Sequence, residues 1–308
     1  MAPWSGWVEC VPNFSEGRDE EVIAALERAV TSASGVLLLD RHTDRDHNRT
    51  VLTLAGPPSS VLEAALRACE AAVAQIDLTT HEGRHPRIGA IDVLPFVPLE
   101  GTSLESCAAL AHQAGEAIWR RFRVPVYFYE AAALQPERRE LAAIRRGGFE
   151  TLLEDARREA ARAPDIGGPG LHPTAGATAV GARKFLVAWN VNLETDKVAA
   201  ARRIAGRIRE SSGGFPRVKA LGLYLASRGR AQVSMNLTDF EKTGLAEVFL
   251  AIEQEARRLG VAVSGSELVG LIPEMALPDA GGVDLRWEHF SPDSILEHRL
   301  RSLLGSSG

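Results

Sequence analysis

Three observations predict an α+β fold in two halves. Residues 182–273 read as strands and helices in the order βαββαβ, and residues 7–98 repeat that order in outline. Between the two lies a run of chain breakers, APDIGGPGLHPTAGATAVG at 163–181. The order βαββαβ is that of the split βαβ, ferredoxin-like unit, whose antiparallel sheet carries two helices on one face. The expectation is two ferredoxin-like subdomains, residues 1–180 and 181–308, with antiparallel sheets and helices packed on them.

The second half parses as follows. ARKFLVAWNVNL (182–193) is a strand, and TDKVAAARRIAGRIRESS (195–212) has apolar residues at helical spacing behind Thr195 as N-cap. VKALGLYLA (218–226) and AQVSMNLT (231–238) make a strand pair through SRGR. A helix, GLAEVFLAIEQEARRLG (244–260), and a closing strand within VAVSGSELVGLIP (261–273) complete the unit. In the first half WVECVPNFS is a strand and EEVIAALERAVTSA a helix; GVLLLDRHT and NRTVLTLAG form a strand pair. SSVLEAALRACEAAVAQI is a helix capped by Ser59 or Ser60, and a strand from Ile88 closes the unit. The helix SLESCAALAHQAGEAIWRRF, the strand VPVYFYE and a helical stretch from 138 to 162 are additions, and 163–182 is the linker between halves.

The chain has 308 residues, enough for two domains of ordinary size. Its net charge of -5 offers no basic field to recommend nucleic acid as a partner. Cys10, Cys69 and Cys107 stand far apart without a C-x-x-C, which fits a reduced compartment. No leader pattern opens the chain, and no stretch approaches the roughly 20 apolar residues of a membrane span. The expectation is a cytoplasmic protein with no membrane or nucleic-acid partner.

HEGRH at 81–85 matches the H-E-x-x-H zinc-protease pattern, which has chemical meaning only on a helix. Gly83 lies between the histidines and Pro86 follows His85, so the stretch reads as a loop, and no metal is expected there. Gly176 and Gly181 are spaced as in a phosphate loop, yet Ala182 and Arg183 stand where Lys and Ser or Thr are needed, which disfavours a nucleotide. Four loop stretches are unusually rich in functional groups: PNFSEGR (12–18), DRDHNRT (44–50), HEGRHPR (81–87) and the glycine-rich linker.

VECVPNFSEGR, LLLDRHTDRDHNRTV, HEGRHPRIGAIDVLPFVP, VPVYFYE, GATAVGARKFLVAWNVNL and ELVGLIP occur in this order, and together they closely resemble the formiminotransferase domain family. That family comprises free-standing glutamate formiminotransferases and the N-terminal domain of formiminotransferase-cyclodeaminase. The resemblance implies transfer of a formimino group from N-formimino-L-glutamate to N5 of tetrahydrofolate, late in histidine degradation. It also implies a homodimer with tetrahydrofolate as co-substrate and no metal. The histidine of the family's H-P-R motif, its catalytic base, falls on His85.

The family's folate-contacting stretch falls on Gly167, Gly168, Pro169, Gly170, Leu171, His172, Pro173, Thr174, Ala175 and Gly176, with Ala175 where the animal enzyme has an aromatic residue. A cyclodeaminase domain is expected to be absent and its reaction left to a separate protein. Arg49, Arg87 and Arg183 are the candidates for binding substrate carboxylates, since a guanidinium matches a carboxylate bidentately. Two alternatives accompany this reading: formyl transfer between 5-formyltetrahydrofolate and glutamate at the same site, and a non-catalytic folate-binding protein. Should His85 not be the base, His42, His47 and His81 are the remaining candidates.

Overall fold

In the computed structural model, which describes residues 2–277 and 282–305, the chain forms two units, Met1–Arg183 and Lys184–Gly308. The first contains β1 (Val8–Cys10), β2 (Asn13–Phe14), α1 (Glu20–Thr31), β3 (Leu37–Asp44), β4 (Arg49–Gly56), α2 (Pro58–Gln75) and β5 (Ile91–Pro98). It continues with α3 (Leu104–Phe122), β6 (Val126–Glu130), the short α4 (Leu141–Ile144), α5 (Gly148–Arg158) and β7 (Thr178–Ala182). β1 and β2 pair with the same two neighbours, β4 and β5, so they form one strand interrupted at Val11 and Pro12.

The first sheet departs from the antiparallel expectation. Its seven strands run β1-β4-β2-β5-β7-β6 with β3 added beside β4, and β7 pairs parallel with both β5 and β6. The cause is the crossover through α3, which returns β6 in the direction of β5 and leaves a slot that β7 fills. The segment expected as a linker therefore belongs to the first unit. Its small residues serve packing: a side chain at Gly181 would lie 2.5 Å from the Tyr129 ring. Phe14, Leu26, Leu54, Phe96, Tyr127 and Val180 belong to one buried core.

The second unit contains β8 (Val187–Leu193), α6 (Val198–Ile208), β9 (Val218–Leu225), β10 (Arg230–Leu237), α7 (Leu245–Arg258), β11 (Val263–Val269) and α8 (Leu296–Gly305). Its four strands are antiparallel in the order β11-β8-β10-β9. Trp189 of β8 stacks on Phe249 of α7 at a centroid distance of 5.8 Å, inside a core that also takes Ile204 from α6. This unit thus combines βαββαβ order with an antiparallel sheet.

Two caps differ from expectation. α2 starts at Pro58 behind Pro57, with no side-chain cap, because proline suits a first turn whose amide would be unpaired anyway. α6 starts at Val198, and Thr195 instead accepts from the Lys197 amide at 3.2 Å in the turn before it. The three cysteines are buried and free. Among the described residues no helix is long and apolar enough to cross a membrane.

Candidate active site

Residues 81–90 form a loop with no helix, so His81 and His85 do not share a helical face. His81 is fully engaged as a structural group: Arg87 Nε donates to its Nδ1 at 2.6 Å, and its Nε2 lies 2.9 Å from the Asn48 carbonyl. The donor on Nδ1 requires the proton to sit on Nε2. Arg87 also reaches the His81 carbonyl at 2.8 Å and Glu150 at 2.9 Å.

Asn48 ties three of the functional stretches together. It adopts a left-handed φ of 49°, its Oδ1 accepts from the Gly17 amide at 2.8 Å, and its Nδ2 donates to the Glu82 carbonyl at 3.0 Å. Asparagine tolerates this conformation better than most residues. The fourth stretch joins by backbone contact. The Ala90 amide donates to the Ala175 carbonyl and the Ala177 amide to the Ile88 carbonyl, both at 2.9 Å. Side chains at Gly89 or Gly176 would stand 2.1 Å from a carbonyl oxygen, so glycine is required at both positions.

His85 lies at the meeting point. Its Nδ1 is 2.9 Å from the Pro86 carbonyl, which can only accept, so Nδ1 carries the proton and Nε2 presents a lone pair. Arg49 Nη1 donates to that lone pair at 3.2 Å. The other arm of Arg49 binds the Asn13 side-chain carbonyl, and Arg145 is paired with buried Asp92, which also accepts from the Ile88 amide at 2.8 Å. His47 is buried, with its ring 5.8 Å from that of His85 and its Nδ1 3.8 Å from Asp44.

Loss of hydration, followed by the charges of Arg49, Arg145 and His47, holds His85 well below the ordinary histidine value of 6.5. Burial first, and then Arg145, lowers Arg49 to about 10. The result is a neutral imidazole at neutral pH, a proton acceptor beside two guanidiniums.

The sequence profile of the N-terminal subdomain of the formiminotransferase domain matches residues 7–183, and that of the formiminotransferase domain matches 188–293. A glutamate formimidoyltransferase of Streptococcus pyogenes serotype M1 is 47% identical over 95% of this chain and 98% of its own length. The corresponding enzyme of Thermoplasma acidophilum is 42% identical over 95% and 97%. The chain belongs to the formiminotransferase family. The mouse formimidoyltransferase-cyclodeaminase is 46% identical over 98% of this chain, which spans 56% of the mouse protein.

Within this formiminotransferase chain the stretch expected to contact folate divides in two. Gly168 and Pro169, joined by a cis peptide, are exposed, whereas Leu171, Ala175 and Gly176 are buried. Gly167 lies against the Trp119 ring, Gly170 beside Arg157. His172 Nδ1 accepts from the Thr174 and Ala175 amides at 3.3 and 3.0 Å, which folds Pro173 outward as an exposed turn. Of the three arginines expected to bind carboxylate, Arg49 touches His85, Arg87 is held by His81 and Glu150, and Arg183 hydrogen-bonds Tyr129.

Sequence reasoning passed over Asn13, Asn48, Asp92 and Arg145. The first two lay inside stretches already singled out. Asp92 carried its own signal, a lone carboxylate within the apolar run IGAIDVLPF, where a buried charge demands a partner. Arg145, in a helical stretch with many arginines, had none.

Proposed function

We propose that this chain is a glutamate formimidoyltransferase that moves the formimino group of N-formimino-L-glutamate to N5 of tetrahydrofolate. N5 attacks the amidinium carbon and forms a C–N bond, and His85 Nε2 takes the N5 proton. The same proton passes to the glutamate nitrogen, whose bond to carbon breaks with the electron pair going to nitrogen. The C=N bond reforms, and His85 ends neutral, as it began. The observation that carries this reading is the fixed tautomer of His85: Nδ1–H on the Pro86 carbonyl leaves Nε2 as the acceptor.

Family membership and the two formimidoyltransferase relatives, alike over nearly their whole lengths, support the reaction. The βαββαβ order of the second unit supports reading it as a ferredoxin-like subdomain and the first unit as an enlarged one. Folate would lie along Gly167–Gly176, whose buried end is hydrogen-bonded to the loop after His85. The proposal includes a homodimer, which light scattering checks. The deciding experiment measures formimino transfer by the wild-type protein and, in parallel, formyl transfer between 5-formyltetrahydrofolate and glutamate. A kcat/KM that favours the formyl pair, or folate binding without either transfer, overturns the assignment.

A further inference from the structure

Arg49 is partly buried at the side of His85 with neutral partners on both arms: the Asn13 amide carbonyl and the His85 imidazole. Its Nε is buried and makes no hydrogen bond among the described residues. Arg145, the neighbouring guanidinium, already has a carboxylate in Asp92. A partly buried cation whose hydrogen bonds go to neutral groups, with its buried Nε unpaired, is the natural place for an incoming anion. Arg49 also occupies the very lone pair that must accept the N5 proton.

Resting on the reading above, we infer that Arg49 is a positioning residue that binds the α-carboxylate of the formimino donor, and that this binding withdraws it from His85 and frees the base. The chemistry of the donor selects this carboxylate. The leaving nitrogen is bonded to the carbon that bears the α-carboxylate, so a histidine that reaches that nitrogen has the carboxylate beside it. Arg49, at 3.2 Å from Nε2, is the guanidinium in contact with that histidine. A bidentate pair would take up both NH donors now spent on Asn13 and His85. The anion also offsets the positive field of Arg49 and Arg145 on the imidazole, so the donor raises the proton affinity of the group that must receive a proton. Without a donor the base stays covered.

The charged and titratable groups facing His85 are Arg49 from β4, Arg145 from the turn before α5, and His47 from the β3–β4 turn, with Asp92 and Asp44 behind the last two. Arg145 and His47 each have a carboxylate within 4 Å, Asp92 and Asp44, whereas among the described residues Arg49 feels those two carboxylates only from farther away, so the donor should act through Arg49.

The test is a nitrogen NMR titration of histidine-labelled protein, with the His85 signal assigned from the spectrum of His85→Gln. In the free protein His85 should titrate below the ordinary range. Saturating L-glutamate, the product that carries both carboxylates, should raise its midpoint by about one to three pH units. 4-Aminobutyrate, which lacks the α-carboxylate, should leave it in place. In Arg49→Gln the midpoint should already be raised and should not respond to glutamate. An unmoved His85 in glutamate-saturated wild type, or an equal response to 4-aminobutyrate, overturns the inference. So does a shift caused by tetrahydrofolate and not by glutamate, since the anion would then be the folate tail. A wild-type protein that transfers formimino groups while His85 stays unmoved loses only the role of Arg49. One that fails to transfer them, with His85 moved, loses the reaction instead.

Discussion

Arg87 donates to Nδ1 of His81 at 2.6 Å, and through that bond the first histidine of the loop is locked as a structural group. The two interactions of Arg87 differ in weight. Its bonds to His81 lie in a part-buried setting, whereas Glu150 is two-thirds exposed, at 66%. Arg87→Ala is expected to cost roughly 1–3 kcal/mol, because it strands part-buried acceptors. Glu150→Gln should cost roughly 0–1 kcal/mol, the range of an exposed ion pair. Urea midpoints of the two variants check the order, and equal losses would contradict it.

Removing the base should act on the chemical step. His85→Ala is expected to lower kcat by about 10²–10⁴ and to leave KM comparatively unchanged, because the proton transfers occur in the transition state. His81→Ala should be milder. Since His85 is held below 6.5, the acid limb of wild-type kcat/KM should fall below that pH and disappear in His85→Ala. A variant that keeps the limb, or near wild-type kcat, would return the role to His42 or His47.

The same histidines link stability to pH. His47, His81, His85 and His172 are all lowered from 6.5, in each case first by loss of hydration. Below about 6.5 the unfolded chain therefore binds protons that the folded chain does not. Stability should be complete above that pH and should decline as the pH falls toward the lowered folded values. The urea midpoint should be lower at pH 5.5 than at pH 7.5, with a smaller drop in His85→Gln. A flat midpoint across that interval would rule the linkage out.

Glycine substitutions should separate the site from the scaffold. At Gly176, with φ of 68°, alanine would place Cβ 2.1 Å from the Ile88 carbonyl and push the 88–90 segment off the 175–177 segment. Gly176→Ala should lose roughly 2–4 kcal/mol by strain and overpacking and should lower kcat through displacement of His85. Gly206, inside α6 with nothing within 4 Å of a built Cβ, should behave oppositely: alanine there should gain roughly 0.5–1 kcal/mol. Thermal melts of both variants, with kcat for the first, provide the check.

Most helices and strands, and the loop around His85, were legible from local signals in the sequence. Apolar periodicity marked helices and strands because burial imposes a period of about 3.6 or 2 on any chain that folds them. Gly83 and Pro86 were enough to deny HEGRH a helix, since both act through local backbone sterics. The motif order pointed to the family, and His85 within it.

The tertiary structure alone decided what those local signals cannot carry. That the glycine-rich 163–182 segment ends in a sheet strand depends on a slot opened between β5 and β6 by a helix far away in sequence. The pairing of Arg145 with Asp92 spans 53 positions, and the contact of Arg49 with His85 spans 36. No periodicity encodes such separations. Three arginines with the same side-chain chemistry were equal candidates in sequence. Neutral partners on both arms set Arg49 apart, because what a charge can bind depends on its surroundings and not on its type.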